Sequence, residues 1–474
     1  MRKQQLTFGV IVGTRGFFSP ELARQGKAQL LAQLERLGHR AILLPAEATP
    51  TGAVETTADA RKCADLFNQN RSEMDGVIVS LPNFGDELGI VNTLHFARLG
   101  IPILVQACDD ELDKLDTLHR RDSFCGKLSV CNNLYQYGIP FTGTATHTVA
   151  LDSLAFTRDL EFFAGVCRVV GSLRNARIGA IGARPAAFQT MRASEKLLQA
   201  SGITVIPVDL SEIIGAASKI DTSTARAKQK LEAMRSYGTI PEGIPNLEAK
   251  LDRHVRLYLA VEDWMQENMI DAAGFQCWTS IQQNYGCATC LTMSMMGENL
   301  IPCACEVDVA GVTSMFVLMQ ASGNPAALID WNNNYGDDHD KCVAQHCSNY
   351  PKSFIGKQVE VSTLDVLGNA LGAEVCFGAV KGKADPGPMT YLRLSTDDRY
   401  GLIKGYLGEG EITADPFNMS GGIAVCQIPN LQKLLKFMCK GGFEHHGAMV
   451  RSQCARIIEE ALATYMNWDI YLHE

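Results

Sequence analysis

The sequence predicts an α/β protein in three parts: two doubly wound α/β domains, residues 1–168 and 169–345, followed by a β-rich C-terminal domain over residues 346–474. Three observations carry this expectation. Short β-branched, apolar runs alternate with amphipathic helical segments through the first part of the chain. The same alternation restarts after a long apolar segment near residue 170, and beyond residue 350 it gives way to β-rich runs separated by Gly- and Pro-containing turns. A chain of 474 residues also exceeds what one hydrophobic core ordinarily organises.

Thr7–Val12 reads as a strand closed by Gly13. After Pro20, the leucines at 22, 30, 31, 34 and 37 fall on one face of a helix that Gly38 stops. Strand Ala41–Leu44, helix Ala58–Phe67, strand Gly76–Ser80, helix Leu88–Leu99 and strand Ile101–Gln106 continue the pattern. Doubly wound sheets bind ligands at the carboxyl ends of their strands, so Gly13–Gly16 and Ser80–Glu87 are the candidate binding loops here. Val149–Val170 reads as one long helix. The second domain then opens with strand Ala176–Ile181, a helix from about Phe188, strand Ile203–Val208 and a mostly helical stretch to about Asn268, interrupted by a turn-rich loop over 237–246. Strand Asp271–Gln276, a helix around Cys287–Met296, strand Leu300–Cys303, helix Val309–Gln320 and strand Ala327–Trp331 complete it, with Glu306 and Asp330 each read at a strand's carboxyl end. Val359–Val361, Glu374–Phe377, Thr390–Leu394 and Gly422–Gln427 read as strands of a largely antiparallel third domain, which closes with a helical pair flanking Gly441–Gly447.

Composition excludes several classes. Fifty-two acidic against forty-three basic residues leave a net charge of −9, which disfavours nucleic acid as a partner. The early apolar run is broken at Gly13-Thr14-Arg15, and no uncharged apolar run of membrane-spanning length occurs, so neither export nor membrane insertion is expected. Sixteen cysteines spread over the chain and set in apolar patterns, such as Cys167 and Cys376, read as reduced thiols of a cytoplasmic protein. Cys287-x2-Cys290 with Cys303-x-Cys305 lacks zinc-site spacing and reads as core. The glycines at 179 and 182 are followed by Pro185 and lack the dinucleotide fingerprint.

The residues with chemical potential are few. Of ten histidines, His346 lies in VAQHCSNYP and His445-His446 in GGFEHHGAMV. With Glu306 and Asp330, His346 and the second histidine of the pair, His446, make a candidate two-carboxylate, two-imidazole metal site, a donor set that suits Mn²⁺, Co²⁺ or Mg²⁺. Spacing alone leaves the ordinary alternative open, in which these are surface carboxylates and hydrogen-bonded core histidines.

CEVDVAG with Glu306, IDWNNNY with Asp330, QHCS with His346 and the HHG pair resemble, in order and spacing, the metal-site segments of the L-fucose isomerase and L-arabinose isomerase superfamily. PGPMTYLRLSTDD and GFQCWTSIQQNYGCATCLTMSMMGE extend the resemblance over essentially the whole chain. The resemblance implies a divalent-metal-dependent aldose–ketose isomerase that works through a cis-enediol(ate). Glu306 and Asp330 are then metal ligands that also exchange protons, His346 and His446 complete the metal shell, and His445 is a neighbour. It implies Mn²⁺, or Co²⁺ or Mg²⁺, as cofactor. It also implies a homo-oligomer, a trimer or hexamer, whose subunits share active sites. Asp330, where arabinose-type members carry glutamate, leans toward the fucose type, although the chain is shorter than typical fucose isomerases. Trp278, Gln282 and Asn332 lie in the matching segments as sugar-contact candidates. Arg15 and Asn83 are candidates to reach a neighbouring subunit's site, where Arg15 would clamp an anionic C6 group such as that of sulfoquinovose. Three alternatives stand beside this reading: an isomerase of neutral sugars of the fucose or arabinose type, a metal-dependent epimerase or aldolase, and a non-catalytic sugar-binding protein.

Overall fold

The central strands of the first sheet are buried at every position and mostly apolar because both of their faces are covered. In β1 (Thr7–Val12), Phe8, Val10 and Val12 pack with Leu30, Leu34, Phe156 and Phe163, whereas Ile11 packs on the other side with Phe67, Val77 and Val79. That period of two over opposite faces is what a doubly wound parallel sheet imposes. The computed structural model describes residues 5–474, which fall into two compact units: one running to Gly171 and including Glu460–Asn467, the other Ser172–Glu459 with Trp468–Glu474.

In the first unit β1, β2 (Arg40–Ile42), β3 (Gly76–Leu81), β4 (Ile103–Ala107) and β5 (Thr142–Gly143) form a parallel sheet in the order β2-β1-β3-β4-β5. Strand order reverses between β1 and β3, so the loops after these two strands flank the crevice of the sheet. The long helix begins at Leu154, not Val149, and runs to Leu173. The Ser153 side chain accepts the Phe156 N–H at 3.0 Å, which fixes the start. Near the C-terminus, Glu460–Asn467 returns to this unit, where the Tyr465 hydroxyl lies 2.8 Å from Thr142 Oγ1.

The second unit holds two sheets. β6 (Arg177–Ile181), β7 (Thr204–Val208), β8 (Ala272–Phe275) and β9 (Cys303–Ala304) are parallel in the order β7-β6-β8-β9. The helix expected from Phe188 starts only at Glu195, where Ser194 caps it, and the long helical stretch is three helices, Leu210–Lys219, Ala225–Arg235 and Leu247–Glu267. The remaining strands are β10 (Ala326–Tyr335), β11 (Asp338–His346), β12 (Glu360–Thr363), β13 (Phe377–Lys383), β14 (Gly387–Asp397), β15 (Leu402–Ile412), β16 (Gly422–Gln427), β17 (His446–Val450) and β18 (Asp469–His473). They form a mixed sheet ordered β12-β13-β16-β11-β10-β17-β14-β15-β18, and a further β15–β16 pairing closes six of them into an antiparallel ring.

The segment around Asp330 therefore differs from its expectation. Rather than ending the parallel series, it lies mid-strand in β10, in an antiparallel hairpin with β11. Tyr335 pairs with Asp338 across the two-residue turn Gly336-Asp337, and Gly336 takes the positive φ of 55° that such turns need. Helix Val309–Ser322, buried at almost every position, touches β6 and β8 on one side and β10, β14 and β17 on the other. A helix apolar all round belongs in such a sandwich. No helix among the described residues is long and apolar enough to cross a membrane.

One buried histidine gives this unit a pH signature. His254 shows no exposure, and its Nε2 lies 2.9 Å from the Phe377 carbonyl. Burial pushes its pKa down to about 4. The unfolded chain takes up this proton near pH 6.5 and the folded chain only near 4, so His254's contribution is complete above 6.5 and is lost as pH falls through that window. We expect it to account for roughly 3 kcal/mol of acid destabilisation. Denaturant unfolding at several pH values checks this: the His254→Gln variant is expected to lose less stability between pH 6.5 and 4 than the parent.

Candidate active site

The first carboxylate sits on a tight turn. Directly after β9, Cys305–Val307 forms a single 3₁₀ turn in which Glu306 and Val307 take φ of 56° and 55°. Left-handed backbone costs roughly 1–2 kcal/mol at each non-glycine residue, and a β-branched valine is an outlier there. Neighbouring β8 accommodates the turn through Gly274, where a Cβ would stand 2.9 Å from the Val307 backbone. The result is a Glu306 carboxylate only 3% exposed. Asp308 follows, and its Oδ1 accepts the Gly311 N–H at 2.8 Å, capping Val309–Ser322.

The other three groups come from adjacent strands of the mixed sheet. Asp330 of β10 is paired in register with His446 of β17 on one side and Gln345 of β11 on the other, and His346 ends β11. Residues far apart in sequence become cross-strand neighbours. Glu306 Oε2 lies 3.7 Å from His346 Nε2 and 3.6 Å from His446 Nε2, while Asp330 Oδ1 lies 3.4 Å from His446 Nε2. Donor atoms of Asp330, His346 and His446 all fall within 4.8 Å of one another. His445 is nearly half exposed, and its Nε2 lies 3.6 Å from the same Asp330 oxygen.

These separations are too long for hydrogen bonds. Glu306 Oε2 and Asp330 Oδ1 are buried atoms with no hydrogen-bond partner among the described residues. A buried carboxylate oxygen without a partner is costly, and two of them aimed at two imidazole nitrogens fit a divalent cation bound by oxygen and nitrogen. The group is rich in carboxylates: Glu306, Asp308, Asp330 and Glu444 lie around a single guanidinium, Arg393, an acidic surrounding that suits a bound cation.

A buried network orients His446. Its Nδ1 lies 2.8 Å from Asp308 Oδ2, leaving Nε2 to face Glu306 and Asp330. Asp308 also takes two bonds from Arg393, at 2.6 and 3.2 Å, and Arg393 Nε bonds Glu444 Oε2 at 3.1 Å. A carboxylate behind a ligating histidine fixes ring orientation and tautomer. Burial opposes charge on Asp308, but Arg393 and His446 outweigh it and hold the carboxyl well below its ordinary range. On Glu306 burial prevails: it pushes the carboxyl up to about 7, against the pull of His346. On His346 burial disfavours the imidazolium, yet Cys347, Asp330 and Glu306 more than offset this and raise it to about 10.

Of the sugar-contact candidates, Trp278 and Gln282 follow β8, next to the strand that leads to Glu306. The Trp278 ring meets Phe188 edge-on at 5.5 Å, and Phe188 lies 6.1 Å from the His445 ring, making an aromatic wall. Trp278 Nε1 and Gln282 Oε1 are buried without partners among the described residues. Asn332 sits at an irregularity of the β10–β11 ladder and is exposed, with its amide 3.4 Å from Gln345 Oε1. Arg15 and Asn83 belong to the first unit, in the loops after β1 and β3 that flank its crevice. Asn83 is buried and its side-chain amide bonds Thr14 Oγ1 at 3.1 Å. Arg15 bonds Glu87 at 2.7 Å and lies over the Phe84 ring. Asp308, Arg393 and Glu444 escaped the sequence reading. The available signals were an aspartate three residues before Gly311 and a lone arginine inside the apolar run of β14.

Residues 9–174 match the family model described as fucose/sulfoquinovose isomerase, N-terminal domain, and residues 344–473 match that of the L-fucose isomerase C-terminal domain. Three curated relatives are each named sulfoquinovose isomerase. The protein of Clostridium sp. (strain MSTE9) is 29% identical over 223 residues, covering 44% of this chain and 46% of that protein, so the match spans about half of its length. That of Priestia aryabhattai is 22% identical over 408 residues, 85% of this chain and 86% of its own. That of Alkalicoccus urumqiensis is 23% identical over 319 residues, 65% and 68%.

Proposed function

The chain belongs to the fucose/sulfoquinovose isomerase family, whose members are aldose–ketose isomerases, and from that premise we propose that it interconverts an aldose and a ketose at C1 and C2 of a monosaccharide through a cis-enediol(ate). The observation that carries the reading is the pair of buried, unpartnered carboxylate oxygens of Glu306 and Asp330 set against His346 and His446. These four residues would hold a divalent cation, which would supply Lewis acidity toward the sugar oxygens and offset developing negative charge. Mn²⁺ is the proposed ion, with Co²⁺ or Mg²⁺ as substitutes. Glu306 and Asp330 exchange protons with the substrate carbons, and the burial of Glu306 keeps bulk water from competing for its proton. Asp308 holds His446 in the tautomer that leaves Nε2 free. Trp278, Gln282 and Asn332 contact the sugar.

The proposed substrate is a hexose with an anionic C6 group, of which sulfoquinovose is the example. Support comes from the names of the relatives and from Arg15 beside the first unit's crevice. We place Arg15 and Asn83 against the site of a neighbouring subunit in a homo-oligomer, a trimer or hexamer, and the protein in the cytoplasm, in keeping with sixteen unpaired thiols. A substrate panel tests this reading. Arg15→Ala is expected to lower kcat/KM on sulfoquinovose about 10- to 100-fold, the worth of one charge-assisted contact, and to alter neutral aldoses by far less. Unchanged turnover on every accepted sugar would refute the anion clamp.

A further inference from the structure

The turn that carries Glu306 and the strand end that carries His346 each bring a cysteine with them. Cys305 and Glu306 are consecutive after β9, and His346 and Cys347 are consecutive at the end of β11. Cys305 Sγ lies 3.9 Å from Cys347 Sγ, Cys347 Sγ lies 3.5 Å from His346 Nδ1, and His346 Nε2 lies 3.7 Å from Glu306 Oε2. All four residues offer a donor atom within 4.8 Å of the others. Both cysteines are unpaired; Cys305 is buried and Cys347 half-buried.

We propose that Cys305, Glu306, His346 and Cys347 form a second metal site, overlapping the first, that takes a soft or borderline divalent cation such as Zn²⁺ or Cd²⁺ and thereby displaces the hard cation of the isomerase site. Geometry and donor chemistry agree. A tetrahedral cation with bonds of about 2.3 Å to sulfur holds two thiolates about 3.8 Å apart, close to the Cys305–Cys347 separation observed. Two thiolates, one imidazole and one carboxylate are a zinc-like set, whereas the Glu306–Asp330–His346–His446 set has no sulfur and suits harder ions. Glu306 and His346 belong to both sets, so one chain holds one cation or the other. Binding releases the Cys305 and Cys347 thiol protons to solvent. The cysteine spacing that fails as a zinc motif within 287–305 succeeds across strands, where Cys305 meets a partner forty-two residues on. Cys277 borders the site, with Sγ 3.4 Å from Glu306 Oε1.

The site itself stands on geometry, while the loss of turnover that follows its filling rests on the isomerase reading. The test titrates Mn²⁺-loaded protein with Cd²⁺ and records three signals: thiolate-to-cadmium charge-transfer absorption, the electron paramagnetic resonance signal of released Mn²⁺, and aldose–ketose turnover. We expect one equivalent of Cd²⁺ to develop the band and to release Mn²⁺ and abolish turnover in step. The Cys305→Ser/Cys347→Ser variant is expected to keep Mn²⁺-dependent turnover and to lose the one-equivalent band and the Mn²⁺ release. Should that double variant fail to fold, Cys347→Ser alone reads the same losses, with Cys277→Ser behaving as the parent. A band and Mn²⁺ release that persist in the Cys347→Ser variant, or their absence from the parent, would overturn the proposal. A protein that shows the band but turns over no sugar would refute the isomerase reading and leave the soft site standing.

Discussion

Glu306→Gln is expected to reduce aldose–ketose conversion by about 1,000-fold or more, the scale of losing a positioned acid–base group, while leaving the protein folded. The amide keeps the shape of a side chain that is 3% exposed and still offers an oxygen toward Cys277 Sγ. What it removes is the negative charge facing His346 and His446 and the capacity to carry a proton. Burial already pushes the native carboxyl up to about 7, so the folded protein gains little from its charge, and the neutral replacement is expected not to lower the unfolding midpoint. Metal content separates this from a packing defect: bound Mn²⁺ falls along with turnover, while the metal-free variant and the metal-free parent unfold at the same temperature. A variant with full metal content and near-native turnover would remove Glu306 from both roles.

The second large effect is expected at a residue that touches no substrate. Asp308→Asn leaves Arg393 with Glu444 as its remaining carboxylate and deprives His446 Nδ1 of a charged acceptor. Breaking a buried ion pair from one side costs about 3–5 kcal/mol, and loss of the carboxylate behind a ligating histidine weakens metal binding about 10- to 100-fold. Asp308 is thus expected to act as a positioning residue, with both a stability and a metal-affinity signature. Pairing it with Arg393→Met gives a double-mutant cycle: the double variant is expected to be more stable than the sum of the single losses, because it no longer buries an under-compensated guanidinium. Its Mn²⁺ affinity is expected to stay low, since the acceptor behind His446 is still missing. Additive stability losses would show that the pair is not coupled.

Legibility in the sequence followed the physics of each feature. The first sheet was readable because strands covered on both faces are buried throughout and mostly apolar, and alternate with amphipathic helices. The β10–β11 hairpin was not. Its outer half, Trp331 to Asp340, is polar and largely exposed, so no apolar alternation announces it, and the Asp330 strand read as the close of a parallel series. β15 and β18 were likewise missed; β18 gains its place by pairing in parallel with β15, a contact outside any local pattern. The four metal-ligand candidates were found because each sits in a short segment with a recognisable order, although only cross-strand register brings Asp330 opposite His446. The network behind them was invisible for a different reason. Asp308 reads as a helix cap, which it also is, and nothing local tells that its second oxygen serves Arg393 and His446. Cys305 and Cys347 are two unremarkable thiols until β9 and β11 deliver them to one spot.

We propose that Glu306, Asp330, His346 and His446 hold one divalent cation and that sugar isomerisation depends on this cation together with the two carboxylates. This is tested most directly by stripping the purified protein of metal, restoring Mn²⁺, and following aldose–ketose conversion by NMR at each stage. The expected result is no conversion after stripping, recovery on adding Mn²⁺ at one ion per chain, and no recovery in the Glu306→Gln variant. Undiminished turnover by the stripped protein, or a metal-loaded protein that binds sugars and never converts them, would contradict it.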